Sequence, residues 1–292
     1  LSSRRQRQMC IRDRSQVEMN SGLQFFDGIE SEQIQNILIK SASDLISLDS
    51  PNYQFVAARL LLFSVRKQVF ADWNNTGYPK LKSHVETCAE AGVYDGGILK
   101  KYDDEEWEEL NSYIDHQRCY GFTYAGLRQI VDKYLVQDRS TGRVYETPQY
   151  MYIMVAATLF QDYPKDKRLD YVKRYYTATS KGKINVPTPV LAGVRTPLRQ
   201  FASCVLVDVD DTLDSIFTSD MAIGRYVAQR AGIGINAGRI RGINSKIRGG
   251  EVQHTGVVPF LKKFESTVRC CTQNGIRGCL LYTSDAADES SS

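Results

Sequence analysis

The sequence predicts a mostly α-helical N-terminal region followed by the start of a parallel α/β sheet or barrel. Three features lead there. The chain reads mostly helical from Gln16 to about Gly182, prolines break it between 183 and 200, and a strand–helix–strand–helix order follows. Residues 31–47 set Ile34, Ile37, Leu38, Ala42, Leu45 and Ile46 on one stripe, the mark of an amphipathic helix. Pro51, after Asp49 and Ser50, starts the next helix, which runs through Phe55, Leu60 and Phe63 to Phe70. Residues 134–137 and 143–146 flank the Asp-Arg-Ser-Thr-Gly turn at 138–142 as a hairpin. Thr147-Pro148 precedes an apolar helix over 150–160, and 167–179 forms a helix rich in tyrosine and lysine. Pro187, Pro189 and Pro197 then end the helical pattern. Residues 201–209 read as a buried strand, Asp211 and Thr212 open a helix to about 230, 233–240 is a second strand, and 257 to about 270 a further helix.

The two ends read as foreign to this fold. Residues 1–15 hold five arginines without an amphipathic period, and 279–292 end in a serine run; both resemble translated adaptor sequence rather than native chain. Setting them aside leaves about +2 of the net charge of +3 on residues 16–278, so no basic face for nucleic acid is expected. No apolar run is long enough to cross a bilayer, and no leader-like stretch suggests export. Seven scattered cysteines and three distant histidines give no metal-site spacing, so a reducing, cytoplasmic setting and no metal in this chain are expected.

Three segments carry chemical signals. Gly232-Ile-Gly234-Ile-Asn-Ala-Gly238 imitates a dinucleotide fingerprint, but a helix precedes it and a strand follows, the reverse of what that fingerprint needs. Leu206-Val-Asp208-Val-Asp210-Asp211-Thr212-Leu213 resembles the first motif of haloacid-dehalogenase-type phosphatases, in which two aspartates serve as nucleophile and general acid around magnesium. Too little chain follows it for the rest of such a domain. The third is Cys204, in Arg199-Gln-Phe-Ala-Ser-Cys204-Val-Leu; a lone cysteine in an apolar strand is ordinarily core.

The company Cys204 keeps alters that reading. Pro187-Thr188-Pro189, Gly193-Val-Arg-Thr-Pro197, Arg199-Gln-Phe201, Gln229 through Arg239, Ile247-Arg-Gly-Gly-Glu251 and His254-Thr-Gly256 occur in one order and spacing. Together they resemble the class I ribonucleotide reductase large (alpha) subunit, a ribonucleoside-diphosphate reductase, as an N-terminal fragment over residues 16–278. The resemblance implies a partial ATP-cone at 16–70, a helical domain at 71–182, and the truncated start of a ten-stranded α/β reductase barrel at 183–278.

In that family a cysteine radical takes the ribose 3′-hydrogen, the 2′-hydroxyl leaves as water, and a cysteine pair supplies two electrons while closing into a disulfide. Cys204 matches the first of the pair. Thr188 and Ser203 match positions that hold substrate, and Gly232 one that lets backbone approach it. Asp211, Thr212, Leu213, Arg241 and Arg248 match the allosteric specificity site for a deoxynucleoside triphosphate, where arginines suit phosphate. Lys67 and Ser31 match nucleotide contacts of the ATP-cone, which senses ATP or dATP. The helix over 212–230 would pair with its copy in a homodimer, and 271–278 would begin the loop joining effector to active site. Further partners implied are a small (beta) subunit whose dimetal centre delivers the radical, and thioredoxin or glutaredoxin to restore the thiols. The radical cysteine and the second redox cysteine would lie beyond Gly278, so this polypeptide alone is expected to be inactive. Two other readings stay open: a non-catalytic nucleotide-binding regulatory module, and the phosphatase built on Asp208 and Asp210.

Overall fold

The computed structural model describes residues 15–22, 24–70, 77–198, 200–229, 231–272 and 280–283. By its contacts the chain divides into two compact units, one of residues 1–186 with 190–198, the other of 187–189 with 199–292.

Helices make up most of the first unit. Helix α1 covers 15–22, α2 Ser31–Asp44 and α3 Tyr53–Phe70. Glu30 and Gln33 form a capping box that starts α2, each side chain accepting from the other's backbone N–H. Val17, Ala42, Tyr53 and Ala57 bring these three helices into one small core. Helix α4 (Leu81–Glu90), α5 (Asp104–Ser112) and α6 (Tyr124–Gln129) follow, α6 running into a π-helical turn at Ile130–Tyr134. Strands β1 (Gln137–Asp138) and β2 (Arg143–Val144) form the expected hairpin. Pro148 occupies the first turn of α7 (Pro148–Phe160), where its missing N–H costs nothing. Helix α7 is apolar nearly all round and buried to match, and α8 (Lys165–Ser180) follows it; the short α9 (Thr188–Gly193) is divided, its first two residues counting by their contacts with the second unit and the rest with the first.

Two buried ion pairs fix long-range packing within this unit. Glu106, which also completes the α5 capping box with Asp103, accepts from Arg168 of α8. Glu146 and Arg195 are paired with both side chains fully buried.

His84 lies on α4 among aromatic rings, with Tyr150 at 4.6 Å and Phe70 at 5.7 Å. Burial pushes its pKa down to about 4, against a smaller opposing pull from the Glu146 carboxylate. The unfolded chain takes a proton there near pH 6.5, and the folded chain refuses it until about pH 4. Unfolding therefore takes up a proton in that window, and stability falls as pH drops through it. His116, stacked on Tyr78 at 3.3 Å, is lowered to about 4 for the same first reason, burial, and adds in the same direction. Urea unfolding at pH 7.5 and at pH 5 is expected to differ by about 2 kcal/mol from His84 alone. His84→Leu should flatten that dependence, and an equally steep one in the variant would contradict the assignment.

The second unit contains strand β3 (Cys204–Asp208), helix α10 (Leu213–Ala228), strands β4 (Gly232–Asn236), β5 (Ile243–Ile247) and β6 (Val252–Thr255), helix α11 (Val258–Thr272) and strand β7 (Leu280–Thr283). Strands β3, β4 and β7 form one parallel sheet in that order. Strand β7 falls within the segment that sequence reading set aside as a tail. Val205, Val207, Val209, Ile233, Ile235 and Ala237 pack on Ile216, Ile223 and Val227 of α10 and on Phe264 and Val268 of α11. Gly224 permits close approach of the two helices, since a Cβ there would lie 3.2 Å from Cys271 Sγ.

Three sequence expectations shift in detail. The first strand begins at Cys204 rather than 201. The second ends at Asn236 rather than 240, because the Asn236 side chain accepts from Gly238 N–H at 3.1 Å and turns the chain. Strands β5 and β6 form an antiparallel hairpin that the sequence analysis did not anticipate.

Candidate functional site

Alternation along β3 decides what its residues face. Val205 and Val207 pack toward α10 and α11, which leaves Cys204, Leu206 and Asp208 on the opposite, open face. Parallel register sets Cys204 beside Gly232, Leu206 beside Gly234 and Asp208 beside Asn236. Cys204 is an exposed free thiol at the head of its strand, and its neighbour on that face is a glycine with no side chain to cover it. Ser203 lies one residue ahead, its carbonyl accepting from Gly232 N–H at 2.9 Å. Thr188 belongs by its contacts to this same unit, although the chain places it before the intervening residues 190–198. Leu206 is 86 % exposed. All-parallel sheets are ordinarily covered on both faces, whereas among the described residues this face, with Cys204, Leu206 and Asp208, is exposed.

The other end of β3 is charged. Thr212 caps α10, its hydroxyl accepting from Ser215 N–H at 3.1 Å; Asp211, expected to help open that helix, instead turns its carboxylate to Arg241. Arg241 donates to Asp211 through its backbone N–H at 3.1 Å and its Nε at 2.5 Å. Leu213, the first residue of α10, is exposed. Arg248 follows β5, whereas Arg241 precedes it, so a five-residue strand separates the two guanidinium-bearing positions. Asp211 and Arg241 are thus brought together, and Arg248 stands at the hairpin's far end. Arg248 has a left-handed backbone, φ 52°, and opens a turn through Gly249 and Gly250, which also have positive φ.

Arg239, in the sequence only the last residue of a matching string, was given no role there. It donates to Asp210 at 2.8 Å and pairs with Asp208 at 2.9 Å. An exposed guanidinium thus pairs with both of the carboxylates that the phosphatase reading needs. The glycine run at 232–238 lies in β4 and the turn after it, with a helix before, as its rejection as a dinucleotide site required.

In the first unit Ser31 is the first residue of α2, and Lys67 lies in the last turn of α3. Among the described residues no group of three or more histidines, cysteines, aspartates or glutamates is arranged to hold a metal ion. No helix among them is long and apolar enough to cross a membrane.

Two adjacent family models match the chain. Residues 120–199 match the ribonucleotide reductase all-alpha domain, and 202–280 the ribonucleotide reductase barrel domain. The chain is 52 % identical over 264 residues to the ribonucleoside-diphosphate reductase 1 subunit alpha of Escherichia coli, covering 90 % of this chain and 34 % of that protein. The chain belongs to the ribonucleotide reductase large-subunit family. The subunit alpha of Haemophilus influenzae gives the same 52 % over the same shares, and that of Enterobacteria phage T4 gives 47 % over 86 % of this chain and 33 % of its own length. The chain thus spans about a third of the length of these reductase relatives. Its helical first unit and small open sheets agree with the family's all-alpha domain and the start of its barrel.

Proposed function

We propose that this chain is part of a ribonucleoside-diphosphate reductase large subunit, in which it supplies one electron-donating thiol and one effector site. The observation that carries this is the exposed Cys204 beside Gly232 on the open sheet face, within a chain of this family. A thiol there can give up hydrogen and an electron and be regenerated by exchange with other thiols. Ser203, Thr188 and the side-chain-free but buried position Gly232 are the matched substrate positions for a ribonucleoside diphosphate. Substrate reduction needs a second redox cysteine and a radical, delivered by a small subunit with a dimetal centre, and a dithiol protein such as thioredoxin or glutaredoxin restores the pair. The setting is cytoplasmic.

Asp211, Thr212, Leu213, Arg241 and Arg248 form the effector site for a deoxynucleoside triphosphate, and Ser31 and Lys67 belong to an ATP- or dATP-sensing region over 16–70. The phosphate competes with Asp211 for Arg241, and Arg248 approaches through its hairpin. Leu213, Phe217 and Met221 repeat every four residues along α10 and are all more than half exposed, an apolar stripe suited to a second copy of that helix. The regulatory-module and phosphatase readings find no counterpart in the family match.

Titration of the chain with dTTP tests the effector site. Saturable binding is expected, weakened about tenfold or more by Arg241→Ala, the value of one charge-assisted hydrogen bond. Equal binding by the variant, or none by the parent, would count against it.

A further inference from the structure

The last turn of α11 carries two adjacent thiols, Cys270 and Cys271, that the proposed reaction does not use. Consecutive helical side chains diverge, yet these sulfurs stand 3.9 Å apart. Cys270 is exposed, and Cys271 is half-buried, its sulfur lodged in the space that Gly224 of α10 leaves open. Two sulfurs bonded to one pyramidal trivalent atom stand somewhat closer together than 3.9 Å, so the pair reaches such a centre after a small closure. Closing the same pair into a disulfide is a far larger change, because the sulfurs would have to meet at about 2.05 Å between Cα atoms only about 3.8 Å apart.

We infer that Cys270 and Cys271 form a two-point binding site for a thiophilic centre that brings its own third substituent, of the class of organic trivalent arsenicals. No third or fourth protein ligand completes a metal site among the described residues, which favours such a centre over a bare divalent ion. Asp220, whose charge acts on Cys271, is engaged by Lys263 and Thr267. With phenylarsine oxide the reaction balances without redox change. Two S–H bonds are lost, two As–S bonds form, arsenic stays trivalent, and its oxygen leaves as water with the two protons.

The other described cysteines do not compete. Cys88 and Cys119 are buried, and burial pushes their thiols up to about 12 and about 11. Cys204 has no second cysteine beside it on its face of β3 among the described residues.

The test is intact-mass measurement of the 292-residue chain after phenylarsine oxide. One phenylarsenic group per chain is expected, resistant to excess monothiol and removed by 2,3-dimercaptopropanol. Cys270→Ser and Cys271→Ser should each abolish the monothiol-resistant adduct, whereas Cys204→Ser and Cys279→Ser should keep it. Circular dichroism of each variant checks that the helices persist. An adduct stripped by monothiol, or one retained in either the Cys270 or the Cys271 variant, would overturn the inference.

Discussion

Replacing Glu146 by alanine is expected to cost about 3–5 kcal/mol of folding stability, the usual result of stranding one member of a buried ion pair. Against a total of about 5–15 kcal/mol for a domain of ordinary stability, that loss is close to unfolding. The reason is the number of groups that converge on one carboxylate. Glu146 accepts from Val136 N–H at 2.6 Å, from Arg195 Nε at 2.8 Å and from the Tyr94 hydroxyl. Arg195 also donates to the carbonyls of Leu191, at 2.5 Å, and Tyr134, at 2.9 Å, and its own carbonyl accepts from Asp95 N–H. Four separated stretches of the first unit therefore meet at a single salt bridge. Arg195→Ala should cost a similar amount, since the carboxylate would then be left buried without its counter-charge. Glu146→Leu combined with Arg195→Met should lose markedly less than the two single losses together, because no unpaired charge remains. Urea unfolding of the four proteins decides it; single losses below about 1 kcal/mol, or strict additivity, would contradict the packing described.

That pair also shows where sequence reading runs out. Pro148 and Thr212 announced their helices because cap chemistry is local, and the apolar run after Ser203 announced its strand. Glu146 and Arg195 are 49 residues apart, and nothing local marks either as the other's partner. The ion pairs of Arg239 escaped for the same reason, since its two aspartates belong to β3 and the turn after it, about 30 residues earlier in the chain. The hairpin of β5 and β6 was hidden by a polar first strand, Ile-Asn-Ser-Lys-Ile, without clean alternation; Gly249-Gly250 between Ile247 and Val252 was the available signal. Cys204 was singled out by its neighbours in sequence, but a continuous run such as Cys-Val-Leu-Val-Asp-Val conceals which face is open. Only the packing of Val205 and Val207 against α10 and α11 assigns it. The doublet Cys270-Cys271 was visible as two letters, and the distance between its sulfurs was not.

The role of Cys204 is most directly measured in a chimera. Residues 16–278 of this chain would replace the aligned stretch of the Escherichia coli subunit alpha, and deoxyribonucleoside diphosphate formed over many turnovers would be followed with the small subunit and a protein dithiol reductant. If Cys204 is an electron donor, the chimera turns over and its Cys204→Ser form falls to background while still binding substrate. Sustained turnover by the Cys204→Ser form at the parent's rate would contradict the account.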